Sequence, residues 1–269
     1  MIQDQQFVCV TGATGAIGKA IAKNIAKNKA CHVVLIARNE IKAMEATKDI
    51  QRITGNKNVE YAIVDLSDHR EIYNLAGSWE KPLHVLINNA AITPRRREEN
   101  KYGIELQFAT NILGYFAMMD AFKAHLSGSN PTRIINVASY WAGGLDFSDL
   151  EFKSRRYDNG VAYRQSKQAD RMLSSAFADR LKDQNIYVNS CHPGDVNSKL
   201  SNDLGFGGHE SPDQGAETPV WLATETVGIQ NTGKYFEHKR ETLCRFSLDK
   251  QSVSNLYDLC AEMITIKGE

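Results

Sequence analysis

Short apolar runs recur along this chain with helical segments between them: "FVCV", "CHVVLIA", "VEYAIVD", "LHVLIN", "TRIINVAS" and "IYVNSCHP". Runs this continuously apolar lack the alternation of a half-exposed strand and belong in a sheet covered on both faces. Right-handed crossovers through the intervening helices then lead to an α/β, single-domain doubly wound Rossmann fold, a mostly parallel sheet with helices on both faces. "KYF" near residue 235 reads as a short last strand. The helix after the first run carries Ile17, Ile21 and Ile25 on one face, and a polar helix is expected from Glu40 to about Ile53. At 269 residues and 42% hydrophobic, with no composition shift to mark a linker, the chain is expected to bury one core as one domain, residues 1–269.

Charge and cysteine usage narrow the partners. Lys+Arg and Asp+Glu are 32 each, so the formal net charge is zero, which argues against nucleic acid or an anionic membrane as partner. The densest basic cluster, Arg95 to Arg97, reads as a solvated loop. Cys9, Cys31, Cys191, Cys244 and Cys260 have neither metal nor redox spacing, and buried reduced thiols are expected. No apolar stretch approaches the roughly 20 residues of a membrane span, and "MIQDQQ" lacks the regions of a signal peptide. A cytoplasmic protein without a membrane anchor is expected.

"TGATGAIGKA", Thr11 to Ala20, directly follows the first strand. Gly12, Gly15 and Gly18 leave bare backbone where a strand turns into a helix, so a phosphate can approach unpaired N–H donors at the helix's positive end. In this position the motif points to a dinucleotide. The end of the second strand discriminates between nicotinamide cofactors, a carboxylate there favouring the ribose 2′-hydroxyl and an arginine the 2′-phosphate. The chain reads Ala37-Arg38, which favours NADP(H) over NAD(H).

Tyr163 and Lys167 stand four apart in a helical segment and project from one face. Ser139 ends the "RIINVAS" strand and Asn111 lies in "QFATNILGYF", so these polar groups could converge at one end of the sheet.

With these motifs in this order, the chain resembles the short-chain dehydrogenase/reductase superfamily over roughly residues 5 to 240. The matching segments are Thr11 to Gly18, "VDL" with Asp65, "NNAA" at 88–91, Asn111, Ser139, Tyr163 with Lys167, and "HPGDVNS" from His192 to Ser198. "ARNE", "YGIELQFATNILGYF", "LDFSDL" and "YRQSK" make it most similar to the retinol-dehydrogenase-like branch, which includes the oxidoreductase domain of a WW-domain tumour suppressor.

The resemblance implies an enzyme that moves a hydride between nicotinamide and a carbonyl or alcohol substrate, with no metal. It makes Tyr163 the general acid/base, helped by Lys167, which also binds the nicotinamide ribose. Ser139 would hold the substrate oxygen, and the Asn111 carbonyl would anchor a water chain from Lys167. Cofactor contacts would come from Gly12, Thr14, Gly15, Ala16, Ile17 and Gly18, from Asp65 with Leu66 at the adenine, and from Asn88 and Ala90 near the ribose. Pro193, Gly194, Val196 and Ser198 would line the nicotinamide pocket, and family members often form homodimers or homotetramers.

The glycine spacing departs from the short branch: Gly15-Ala16 gives Thr-Gly-x-x-Gly-x-x-Gly, the pattern of extended members such as sugar-nucleotide epimerases. The short stretch after Gly194 and the "NNAA" motif favour the short branch. A regulatory nucleotide-binding protein of the same fold is the alternative from a different class.

The substrate is not legible in the sequence. The stretch near 196–217 is rich in Gly, Ser and Asp and suits a lid. Tyr140 and Trp141 could wall an apolar pocket, and His192 before Pro193 suits a structural role. "NILGYFAMMDAF" could either form a subunit interface or face the sheet.

Overall fold

The computed structural model describes residues 5–126 and 130–266, so Met1 to Asp4 of the amino-terminal stretch fall outside it. In chain order the elements are β1 (Gln6–Thr11), α1 (Ala16–Ala26), β2 (Cys31–Ala37), α2 (Glu40–Thr54), β3 (Val59–Ile63), α3 (His69–Gly77) and β4 (Val85–Asn88). A π-helical turn (Phe108–Leu113) runs into α4 (Gly114–Leu126), followed by β5 (Thr132–Val137), α5 (Asn159–Leu181) and β6 (Ile186–His192). Then come α6 (Lys199–Asp203), α7 (Pro212–Thr224), α8 (Val227–Gln230), β7 (Tyr235–Glu237), β8 (Arg240–Thr242) and α9 (Lys250–Ile266).

The strands form one sheet in the order β3-β2-β1-β4-β5-β6-β7-β8. All neighbours are parallel except β7 and β8. The doubly wound reading holds. The antiparallel edge strand β8 was not legible: its three residues are all exposed and carry no apolar pattern. Because β1 lies between β2 and β4, the strand order reverses at β1, and the crevice beyond the carboxyl ends of β1 and β4 is where such sheets bind ligands.

Each face of the sheet carries its own core. On one side Ile21 and Ile25 of α1 and Leu222 of α7 pack on Val10, Leu35 and Ile87. On the other, α4, α5 and α9 bury Phe116, Phe122, Phe177 and Leu256. The stripe "NILGYFAMMDAF" belongs to this second core: Ile112, Tyr115, Phe116, Met118, Met119 and Phe122 are all buried within the single chain. Of the two possibilities it faces the interior, and a homodimer or homotetramer would need another surface. All five cysteines are free and buried, as expected. Among the described residues no helix is long and apolar enough to cross a membrane.

Candidate active site

The glycine loop sits in the crevice. Gly12 adopts φ 63° and approaches Ala90 so closely that a Cβ would lie 2.7 Å from its Cα. At Gly18 a Cβ would fall 2.4 Å from the Gly12 carbonyl oxygen and 2.6 Å from Asn89 Nδ2. Only hydrogen fits at these positions, so α1 begins directly against the strand ends. Gly15 is the N-cap of α1 and gives it no side-chain cap, so the first N–H groups of the helix are not taken by a cap side chain. Gly15 and Ala16 are exposed there, and Thr14 and Ile17 are half-buried.

Two residues that the sequence reading did not single out fasten this loop. Thr11 Oγ1 accepts from the backbone N–H of Asn89 (2.9 Å) and of Ala90 (3.1 Å), and Asn89 Nδ2 donates to the Thr11 carbonyl (2.9 Å). Their signal was present as the threonine ending β1 and the second Asn of "NNAA", but only strand adjacency pairs them. Asn88 itself turns inward: fully buried, it donates from Nδ2 to Asn136 Oδ1 at 2.9 Å, so its side chain belongs to the sheet interior. Asp65 Oδ1 accepts from the N–H and hydroxyl of Ser67, which fixes the carboxyl at the end of β3, and Leu66 is buried beside it against Gly114. Arg38, just past β2, is exposed and has no hydrogen-bond or ion-pair partner among the described residues.

Deeper in, Ser139, Tyr163, Lys167 and Asn111 are all buried. The α5 helix, capped by Asp158, places the Lys167 ammonium 5.8 Å from the Tyr163 ring centroid, and Lys167 Nζ donates to the Val137 carbonyl (3.0 Å) and to Asp170 Oδ2 (2.8 Å). Burial pushes the Tyr163 phenol above its ordinary range, while the Lys167 charge and the Ser139 hydroxyl both pull it back down. Ser139 Oγ also accepts from the Trp141 N–H at 3.0 Å, which orients its hydroxyl.

Asn111 sits in the π-helical turn, where the ordinary i→i−4 ladder is interrupted. Its Oδ1 accepts from the Ile92 N–H (2.9 Å) and its Nδ2 donates to the Ile92 carbonyl (3.1 Å) and Ser166 Oγ (3.3 Å); Ser166 in turn donates to the Tyr163 carbonyl (2.8 Å). The side chain thus ties the loop after β4 to the tyrosine's helix. Glu105 holds the start of this turn by accepting from the N–H of Gln107 and Phe108, and burial pushes its carboxyl up to about 7.

In front of Ser139 and Tyr163 opens a cavity of about 630 Å³, lined by Ile17, Tyr140, Trp141, Pro193, Gly194, Val196, Leu200, Leu204 and Phe206 among others. Trp141 and Phe206 meet edge to face at 5.7 Å, and Tyr140 and Phe206 are 51% and 48% exposed, large apolar surface on the wall of the cavity. The aromatic walls foreseen at Tyr140 and Trp141 are present; Phe206 was not singled out, although it is the one aromatic in a Gly-rich stretch. His192 is buried against Tyr140, and burial lowers its ring to about 4, so it is neutral at physiological pH and packs as a structural residue.

Several expectations change shape. Ser198 is committed to capping α6, its hydroxyl accepting from the Ser201 N–H, so a contact with a carboxamide would compete with that cap. The stretch expected as a lid is pinned: Val196 bridges to Glu210, and His209 and Glu210 donate backbone N–H bonds to the Asp195 carbonyl. From Pro212 it is already α7, whose Ala216 is buried in the core, and α6 takes up Lys199–Asp203, so only the short pieces on either side of α6 are loop. Arg97 is tied to Glu99 and the Glu151 carbonyl, Arg95 reaches Asp203 at 3.8 Å, and only Arg96 of the cluster matches a solvated loop without qualification.

The comparisons with known proteins agree with this geometry. The family model described as short chain dehydrogenase matches residues 6–205. Retinol dehydrogenase 13 of Mus musculus is 33% identical over 254 residues, covering 87% of this chain and 76% of the relative. Among solved structures, an uncharacterised protein from Mycobacterium paratuberculosis superposes with a TM-score of 0.80 at 24% identity over 96% of this chain and 94% of its own. L-sorbose reductase from Gluconobacter frateurii, solved with NADPH and L-sorbose, gives 0.69 at 20% identity over 87% and 95%. The glycine cradle, the Ser139–Tyr163–Lys167 arrangement and the sequence match carry one conclusion: the chain belongs to the short-chain dehydrogenase/reductase superfamily, in its retinol-dehydrogenase-like branch.

Proposed function

We propose that this protein is an NADP(H)-dependent oxidoreductase acting on a carbonyl or the matching alcohol, with Tyr163 as general acid/base. The observation that carries the proposal is the buried Tyr163 phenol flanked by Lys167 and Ser139 at the floor of an open apolar cavity. The glycine cradle and the uncapped start of α1 fit a dinucleotide pyrophosphate, and Arg38 has a free guanidinium where a 2′-phosphate would lie. NADPH in a fold neighbour is consistent with that preference.

When bound, the nicotinamide supplies or accepts the hydride. Ser139 holds the substrate oxygen by a hydrogen bond, Tyr163 delivers a proton to it in reduction and removes one in oxidation, and Lys167 stabilises the phenolate between the two. Asn111 fixes the turn beside Tyr163. The pinned segment from Val196 to His209 forms one wall of the cavity. Among the described residues lining the cavity, Asp195 is the one carboxylate and no lysine or arginine is present, which favours an uncharged carbonyl compound with apolar or aromatic surface over an anionic one. The buried thiols suit a reducing compartment such as the cytoplasm.

The test is NADPH and NADH binding by the purified protein, followed by oxidation of the tighter cofactor against aldehydes, ketones and quinones. Binding with turnover of an uncharged carbonyl is the expected result; binding without turnover across the panel would favour a regulatory nucleotide-binding role. An Arg38→Asp variant checks the cofactor assignment: NADPH should bind on the order of 100-fold more weakly, the loss of a charge-assisted phosphate contact, while NADH changes by only a few-fold. Equal weakening of both would remove Arg38 from the site.

A further inference from the structure

Three residues beyond Lys167 on α5 stands Asp170, a carboxylate that the hydride-transfer reading does not use. Its side chain is 0% exposed and Lys167's is 2%. Asp170 Oδ2 accepts from Lys167 Nζ at 2.8 Å, and Oδ1 has no partner among the described residues. The ammonium's remaining neighbours are the Val137 carbonyl at 3.0 Å, the Tyr115 hydroxyl, which donates to that same carbonyl, and the Tyr115 and Tyr163 rings, 5.1 and 5.8 Å to their centroids. All of these are neutral groups, which do not compensate a fully desolvated ammonium, and a buried lysine without a counter-ion sheds its proton. A neutral Lys167 would have no charge with which to stabilise the Tyr163 phenolate.

We propose that Asp170 is a positioning residue for the reaction, the counter-ion that keeps Lys167 charged and holds its ammonium beside Tyr163. This rests on the roles given to Tyr163 and Lys167 above. The other ionisable groups around the pair leave the task to Asp170. Tyr115 from α4, Cys191 from β6 and Cys260 from α9 are all pushed upward by burial and are neutral at physiological pH. Asp170 itself and Asp195, in the loop after β6, both favour the neutral form of Tyr163, so Asp170 helps the phenolate only through the charge it secures on Lys167. Burial raises the Asp170 carboxyl, while the Lys167 charge and hydrogen bond hold it down and favour its ionised form. For Lys167, burial works against the charge; Asp170 is the largest influence opposing it, and with Tyr115 and Tyr163 it lifts the ammonium above its ordinary range.

The structure also shows how Asp170 is held. Its backbone carbonyl accepts from Ser174 Oγ (2.6 Å); Ser174 accepts from Asn136 Nδ2 (2.8 Å), and Asn136 Oδ1 accepts from Asn88 (2.9 Å). A buried polar chain therefore runs from β4 through β5 to the turn of α5 that carries the carboxylate.

The experiment needs no substrate. The phenolate absorbance of each protein is titrated against that of the same protein carrying Tyr163→Phe, so that the difference isolates Tyr163 from the other tyrosines. Asp170→Asn should raise the Tyr163 midpoint by at least about one pH unit, as Lys167→Met should, and the double variant should rise no further than Lys167→Met alone. Asp170→Glu, which keeps the charge, should return the midpoint towards the wild-type value. A folded Asp170→Asn protein whose midpoint is unchanged or lower overturns the proposal. Should Asp170→Asn not fold, the wild-type protein still decides by NMR of its lysine Cε carbons, with the Lys167 signal assigned by its absence from Lys167→Met. An ammonium that persists beyond the ordinary lysine range supports the role, and one that titrates below that range overturns it. Failure of the underlying reading looks different: a Tyr163 midpoint indifferent to Lys167→Met, or wild-type turnover in Tyr163→Phe, sinks the roles of Tyr163 and Lys167 themselves.

Discussion

Replacing Tyr163 by Phe should reduce turnover of any substrate found in the carbonyl panel by at least about 100-fold, the lower range for loss of a positioned acid/base, while NADPH affinity stays within a few-fold. The reason for the separation is geometric. Phe keeps the ring that Trp141 packs against at 5.9 Å and that Lys167 faces at 5.8 Å, so packing is retained and only the hydroxyl is lost. Two other titratable groups that line the cavity near Ser139 are held away from that role. His192 is neutral and edge-on to Tyr140, and Asp195 accepts from the Tyr140 hydroxyl at 3.4 Å. Steady-state rates alongside cofactor titration make the comparison. A variant that turns over at the wild-type rate would sink the proposed acid/base.

Gly18→Val should abolish measurable NADPH binding. Its Cβ would press within 2.4 Å of the Gly12 carbonyl oxygen and 2.6 Å of Asn89 Nδ2. Neither can retreat cheaply: Asn89 Nδ2 is bonded to the Thr11 carbonyl, and the N–H groups of Gly12 and Gly15 bond the Ile36 and Gly12 carbonyls respectively. The start of α1 must therefore tilt off the strand ends, which overpacking estimates put at about 1–3 kcal/mol of stability, and the uncapped N–H groups no longer point into the crevice. Gly77→Ala is the matched control, since nothing lies within 4 Å of a Cβ there. It should leave binding intact and raise stability by about 0.4–1 kcal/mol through the unfolded state. Cofactor titration and thermal melts of both variants read the two effects separately; unimpaired binding by Gly18→Val would mean that the loop is not the pyrophosphate site.

Much of the site was legible because its residues sit at fixed offsets from elements with strong patterns. The glycine loop follows the first apolar run, Arg38 follows the second, and Tyr163 and Lys167 share a helix face by their spacing alone. What escaped was contact between segments distant in sequence. Asn89 and Thr11 look unremarkable until β1 and β4 lie side by side. Phe206 reads as one apolar residue in a polar stretch until the segment folds back over Trp141. Asp170 reads as a helix-surface acid, and the burial of its whole turn by α9 and β6 is what turns it into the partner of Lys167.

Continuous apolar runs and glycine placement, both local properties of the chain, determined the doubly wound sheet and the position of its crevice; helical spacing put Tyr163 and Lys167 on one face, and the resemblance to the superfamily gave that pair its expected role. The tertiary structure alone decided that the apolar stripe of α4 faces inward, that the segment after Val196 is pinned and partly helical, that Ser198 caps a helix, and that Lys167 has a buried counter-ion. These depend on which faces meet and how far water is excluded, and desolvation is a property of the assembled neighbourhood rather than of any residue in it.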